Sequence, residues 1–382
     1  MTRPMRLFVC LATLSGTALA QTPAYQRPNP PSPPVAYVYV SGPTGIDAFA
    51  AASNGNLTPV PGSPFKGDVA SMAVNGKYLF GTGPKDIDIY SFSIASDGAL
   101  HQVAVTNAQK YNSDECGGPG PLFLDHSGAT LYDLDFDGNI CANNTYQSFA
   151  IDKPNGELNY LGSDGADRWF SVPLSFIGNN KYAYGAACIG DLYWQIYGFQ
   201  RHSNGMLIQA NVSAPTPTPK AGDFYCPFLT AADPTNHVAM SLQAVDGETF
   251  NPDGPAQLAT YTAEDSGNLQ TQSTRENMPE TAVKTVTDIA VSPSGKLLAV
   301  GGTAGLQIFH FNGSAPVTPY TELLTKDEVD QFFWDNDNHL YAISRSAGKL
   351  FVFTITPTSF SQAPGSPKTI TKPQDIIVLP KT

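Results

Sequence analysis

A pair of short apolar segments separated by a turn recurs seven times between Tyr37 and Thr354. The leading members are Tyr37–Ser41, Tyr78–Thr82, Leu131–Asp135, Tyr182–Ala186, His237–Ser241, Leu297–Gly301 and Leu340–Ser344. Their aromatic-rich partners are Ile46–Ala50, Ile87–Phe92, Tyr146–Ala150, Gln195–Phe199, Gln257–Tyr261, Leu306–Phe311 and Leu350–Thr354. Segments of this length and composition read as strands. A strand-only unit that repeats every roughly 40–60 residues must stack against its own copies, and radial stacking of small sheets makes a β-propeller.

The unit extends in both directions. Turns such as Asn75-Gly76-Lys77, Ser127-Gly128, Asn179-Asn180-Lys181 and Ser294-Gly295-Lys296 precede the leading strands and follow a further apolar stretch: Ala70–Val74, Leu122–Leu124, Leu174–Phe176 and Ile289–Val291. Gly and Asn tolerate the positive φ of tight hairpins. Counting that stretch as strand one, the two recurring series become strands two and three. A second turn, Asn54-Gly55, Asp97-Gly98, Asn155-Gly156, Asn204-Gly205 or Ser266-Gly267, then leads to strand four, for example Leu57–Val60. The expected fold is all-β, with seven blades of four antiparallel strands. The chain enters it at Val35 on a strand two and ends on Ile376–Leu379, an innermost strand with nothing after it. Pairing of that strand beside Ala36–Val40 would complete blade one and remove the open edge.

Residues 1–20 read as a secretory signal: Arg3 and Arg6, an apolar Leu7–Ala18, and Ala18-Leu19-Ala20 before Gln21. Residues 21–34 are Pro-rich and read as an extended linker or a disordered leader, and residues 35–380 as the propeller. These features predict a secreted or periplasmic protein. Losing two arginines with the signal takes the formal charge from −12 to −14. A surface so acidic repels nucleic acid and anionic lipid. No later apolar stretch is long enough to insert into a membrane. Four cysteines follow the signal: Cys116, Cys141, Cys188 and Cys226. An even number in an exported chain suggests disulfides. Loop positions in a propeller favour Cys116–Cys141 and Cys188–Cys226 among three pairings; four free buried thiols are the alternative.

One segment carries a family likeness: Tyr37–Val40, then Gly45-Ile46-Asp47-Ala48-Phe49, then Asn54 through Pro61-Gly62-Ser63-Pro64-Phe65. It resembles the lactonase family of seven-bladed propellers, which includes 6-phosphogluconolactonase-like proteins. The Pro-Gly-Ser-Pro element returns at Pro364-Gly365-Ser366-Pro367. The stretch from Asp288 to Lys296 is similar to the innermost-strand signature that this family shares with YVTN-type propellers. The resemblance spans Val35–Leu379. It implies the propeller fold and, for the enzymes, opening of a sugar lactone by polar and basic residues on one face of the channel.

Aspartates stand near the entry to the innermost strand of four consecutive blades: Asp288 in blade six, Asp330 in seven, Asp375 in one and Asp68 in two. Carboxylates that share a water-filled space can hold a hard cation such as Ca²⁺ or divide into acid and base. Equally, each can cap its strand by accepting backbone N–H groups. In blade four the same place offers Arg168-Trp169, a sugar-stacking platform or a piece of core. The run from Asp133 through Asp135 and Asp137 to Gly138 matches half a calcium loop, but strand alternation ending in an Asp-Gly turn produces the same pattern. His126 lies in a turn, and the remaining histidines, His339 among them, are scattered without ligand spacing. No phosphate loop or G-x-S-x-G elbow occurs. The functional reading is a monomeric exported propeller that binds a small molecule or protein partner on its entry-loop face. Its alternative is a lactonase-like hydrolase, metal-assisted if the acidic arc holds Ca²⁺.

Overall fold

The computed structural model describes residues 32–83, 87–111, 120–135, 145–165, 173–189 and 193–381. Contacts divide the chain into Met1–Pro33 and Pro34–Thr382. The second unit holds seven antiparallel sheets, each built on four strands in radial order, with one turn of 3₁₀ helix at Gln109–Tyr111 among the described residues. Blade seven adds a two-residue strand, Lys368–Thr369, against Lys349–Thr356. The ring closes as the strand count requires. Asp375–Pro380 pairs antiparallel with Ala36–Gly42, in register from Ala36↔Pro380 to Ser41↔Asp375. The expected signal and nearly all of the expected linker lie outside the described residues.

Strand two is the most buried element of a blade. Ala36–Gly42, Tyr78–Thr82, Thr130–Asp135, Leu297–Gly302 and His339–Ser344 are buried at every position. Covered on both faces by neighbouring blades, such strands carry near-continuous apolar runs. Outer strands meet water and lose that pattern, as Leu100–Asn107 does.

Blades join through one repeated contact. The first side chain of strand two packs onto the positive-φ glycine in the strand three–four turn of the next blade. Tyr37 meets Gly98, Tyr78 meets Gly156, Thr130 meets Gly205, Tyr182 meets Gly267, His237 meets Gly313 and His339 meets Gly55. At Gly98 (φ 88°) an added Cβ would stand 2.5 Å from the Tyr37 ring. Only glycine satisfies both the backbone and the approach. Two residues on, the buried hydroxyls of Tyr39, Tyr132 and Tyr184 donate to the carbonyl oxygens of Gly98, Gly205 and Gly267 at 3.0, 2.7 and 2.8 Å.

Two further devices explain sequence features. The serine of each Pro-Gly-Ser-Pro element caps the outer edge of strand three: Ser63 Oγ accepts the Ala48 N–H and Ser366 Oγ the Val352 N–H, both at 2.8 Å. Ser273 and Thr321 do the same for Thr260 and Ile308 in blades five and six. Hydroxyl caps of this kind shield an edge that the short fourth strand leaves open. On the face opposite the entry loops, His339 is not isolated. Its Nδ1 lies 2.8 Å from Asp335 Oδ2, which also accepts the Tyr341 hydroxyl at 2.8 Å. Burial pushes the Asp335 carboxyl up, yet the bonds from His339 and Tyr341 outweigh it and hold it below the ordinary range.

Candidate ligand site on the entry-loop face

The entry loops and the strand two–three turns share one face. There the first residues of the innermost strands are tied blade to blade. Asp288 Oδ2 accepts the Phe332 N–H at 2.9 Å, Gln331 Oε1 the Ile376 N–H at 3.2 Å, Asp375 Oδ2 the Met72 N–H at 2.5 Å and Ser71 Oγ the Leu122 N–H at 2.9 Å. Blades six, seven, one, two and three are thus linked in sequence by one side-chain acceptor each. Strand register, not residue identity, selects these acceptors, so in blades seven and two the equivalents of Asp288 and Asp375 are Gln331 and Ser71.

Asp330 precedes Gln331 by one residue and does something else. Its Oδ2 accepts the backbone N–H of Arg345 at 2.7 Å, and its Oδ1 lies 3.6 Å from Arg345 Nη1. Arg345 Nε donates to the Gln374 carbonyl at 2.7 Å, so the guanidinium spans blade seven and the entry to blade one. Half of its side chain remains exposed. Burial pushes the carboxyls of Asp288 and Asp375 each up to about 7. A hydrogen bond from the Gln331 side chain pulls Asp375 the other way, strand N–H bonds and the charge of Arg345 do so for both, and Asp375 in turn pushes Asp288 up. The structure therefore brings Asp288, Asp330 and Asp375 together around Arg345. Asp68 is exposed and lines a separate groove between blades one and two. Among the described residues, no group of three or more His, Cys, Asp or Glu side chains is arranged to hold a metal ion.

In blade three, Asp133 and Asp135 are both buried. Asp133 Oδ1 accepts the Gly120 N–H at 2.8 Å, and Asp135 accepts from Gln147 Nε2 at 3.1 Å. Burial raises the Asp133 carboxyl well above its ordinary range, and the neighbouring Asp135 adds to that. Asp133 Oδ2 and Gln147 Oε1 have no hydrogen-bond partner among the described residues. Asp137 and Gly138 of the calcium-like run, together with Arg168, Trp169, Cys116 and Cys141, lie outside the described residues.

No protein-family model matches the sequence, and a search of curated protein sequences finds no match. Solved structures do match. The periplasmic gluconolactonase of Pseudomonas aeruginosa superposes with a TM-score of 0.64 at 14% identity, covering 90% of this chain and 99% of that one. A candidate 6-phosphogluconolactonase from Bacteroides fragilis gives 0.63 at 14% identity, covering 90% and 98%. A hypothetical selenium-binding protein from Sulfolobus tokodaii gives 0.59 at 10% identity, covering 92% and 94%. The chain has the lactonase-like seven-bladed propeller fold.

In this lactonase-like propeller a disulfide joins Cys188 to Cys226, with Cα atoms 5.2 Å apart. Cys226 lies within the innermost strand of blade five, Asp223–Ala232, rather than in a loop. That strand and its partner His237–Asp246 have ten residues each, with a register shift between Pro227 and Thr230. The disulfide ties the strand to Tyr182–Ile189 of blade four. Arg345 and Gln331 escaped the sequence reading. The signal that finds them is positional: each stands where strand alignment puts the rim, whatever its residue type.

Proposed function

We propose that this protein is an exported, non-catalytic propeller that holds a sugar acid or its lactone against Arg345 on the entry-loop face. The observation that carries this reading is the fixing of Arg345 by Asp330 and the Gln374 carbonyl while half its side chain stays in solvent. A guanidinium held in place is pre-organised to meet a carboxylate or lactone carbonyl through its remaining N–H groups. The adjacent Asp288 and Asp375 spend oxygens on blade-to-blade bonds, which favours a structural role for them over proton transfer. The ligand class draws support from the gluconolactonase among the similar structures. The Cys188–Cys226 disulfide supports an oxidising compartment, and with the N-terminal sequence it favours export. Calorimetric titration with D-gluconate and with D-glucono-δ-lactone tests the proposal. Binding to the unmodified protein should weaken about tenfold or more in Arg345→Ala, the loss of one charge-assisted contact. Equal affinity in the two proteins, or none in either, rejects it.

A second reading, hydrolysis of a sugar lactone, is favoured by Asp133. Burial raises its carboxyl well above the ordinary range, which is the direction a general acid needs. On this reading Asp133→Asn abolishes lactone turnover while gluconate binding survives.

A further inference from the structure

The groove between blades one and two belongs to neither reading. Its volume is about 310 Å³, at the lower end of small-ligand sites. Phe92 and the half-buried Tyr90 form its apolar side, where the packing between the two blades opens outward. Thr44, Lys66, Asp68 and Gln102 form its exposed polar rim. None of these four side chains makes a hydrogen bond or ion pair among the described residues. Gly45 and Gly67 complete the walls. Gly45 is demanded by the fold, since its φ is 132° and a Cβ there would lie 2.2 Å from the Phe65 carbonyl oxygen. Gly67 is not demanded in that way. A Cβ there would meet the buried side chains of Phe92, 3.2 Å from Cζ, and Ile46, 3.4 Å from Cδ1.

We propose that this groove is a binding site for a neutral pyranose ring. Lys66 and Asp68 bring one donor of positive charge and one acceptor of negative charge, so the rim has no net charge to prefer an ion. Gln102 and Thr44 each offer both a donor and an acceptor. Such a mixed set matches the hydroxyl groups of a sugar, each of which donates and accepts. An apolar ligand would strip water from four polar side chains without return. The half-buried Tyr90 ring suits the C–H face of a pyranose, while Phe92 belongs to the buried core that Tyr90 packs against. The site is separate from Arg345, so it stands or falls independently of the proposed function.

Saturation-transfer NMR with methyl β-D-glucoside, methyl β-D-galactoside and methyl α-D-mannoside tests it on the full exported chain. At least one glycoside should bind with a Kd in the millimolar range. Asp68→Ala and Gln102→Ala, both at exposed positions, should each weaken it about five- to tenfold. Arg345→Ala should leave it unchanged. No transfer to any of the three sugars overturns the proposal, as does binding that Asp68→Ala and Gln102→Ala leave untouched or that Arg345→Ala removes.

Discussion

Replacing Asp375 by Asn isolates the effect of one buried charge on the stability of the ring. In the folded protein its carboxyl is raised from 3.8 to about 7, chiefly by burial. At about 1.4 kcal/mol per pH unit, a shift of about 3 units corresponds to roughly 4 kcal/mol between the protonated and ionised forms. The sign follows from proton counts. Between about pH 4 and pH 7 the folded state keeps a proton that the unfolded state has released, so stability falls as pH rises through that window and levels off above it. Asn retains an oxygen for the Met72 N–H but never ionises. The stability of Asp375→Asn relative to the parent should therefore rise by up to about 4 kcal/mol between about pH 4 and pH 7, from a starting point below the parent set by the Asn amide facing the Gln331 amide. Urea unfolding followed by fluorescence at a series of pH values gives the difference between the two proteins, in which other titrating groups largely cancel. A companion, Asp375→Ala, strands the buried Met72 N–H and should lose about 1–3 kcal/mol relative to Asn at every pH. A difference between parent and Asn variant that does not change from pH 4 to pH 8, or that favours the parent as pH rises, refutes the reasoning.

The same experiment applies elsewhere with other outcomes. Gly98→Ala forces a Cβ into the Tyr37 ring at positive φ and should cost about 2–4 kcal/mol, read as a lower urea midpoint; a loss under about 0.5 kcal/mol would mean the blade contact is not tight. Asp335→Asn puts an amide donor against the donors of His339 and Tyr341 and should cost about 2–3 kcal/mol at neutral pH. Because the folded Asp335 carboxyl sits below its ordinary range, its contribution is present above about pH 4 and fades as pH falls through the folded value, so parent and variant should converge in acid. Cys226→Ser opens a loop that spans 38 residues in sequence and should lower stability by about 3–4 kcal/mol, detectable by calorimetry as a lower Tm.

Strand two announced the fold because it is buried on both faces, and a run such as Tyr37–Val40 has no other physical use. Turn glycines announced the blade boundaries for a similar reason, since Gly98 and Gly156 serve both a positive φ and a close approach. Closure followed from counting strands, and the pairing of Tyr39 with Ile377 carries it out. The rim was harder to read. Four aspartates looked equivalent in sequence, yet Asp68 lies three residues before Ser71 and Asp330 one before Gln331, and in a strand such offsets decide whether a side chain caps a neighbour, braces an arginine or lines another groove. Residue type misled where register decided. Arg345 was invisible for the same reason: its importance comes from Asp330 and Gln374, which other blades and loops bring to it. The His339–Asp335 pair needed only the fold of one turn, four residues apart, and a search for carboxylates near each histidine would have found it.

The most direct test of the central claim is a single sample of the protein mixed with D-glucono-δ-lactone, in which binding and ring opening are followed together by calorimetry and pH-stat titration. The account predicts saturable binding that Arg345→Ala weakens about tenfold or more, with lactone opening no faster than in buffer alone. Catalysed opening that survives Arg345→Ala and disappears in Asp133→Asn would contradict it and establish the hydrolase instead.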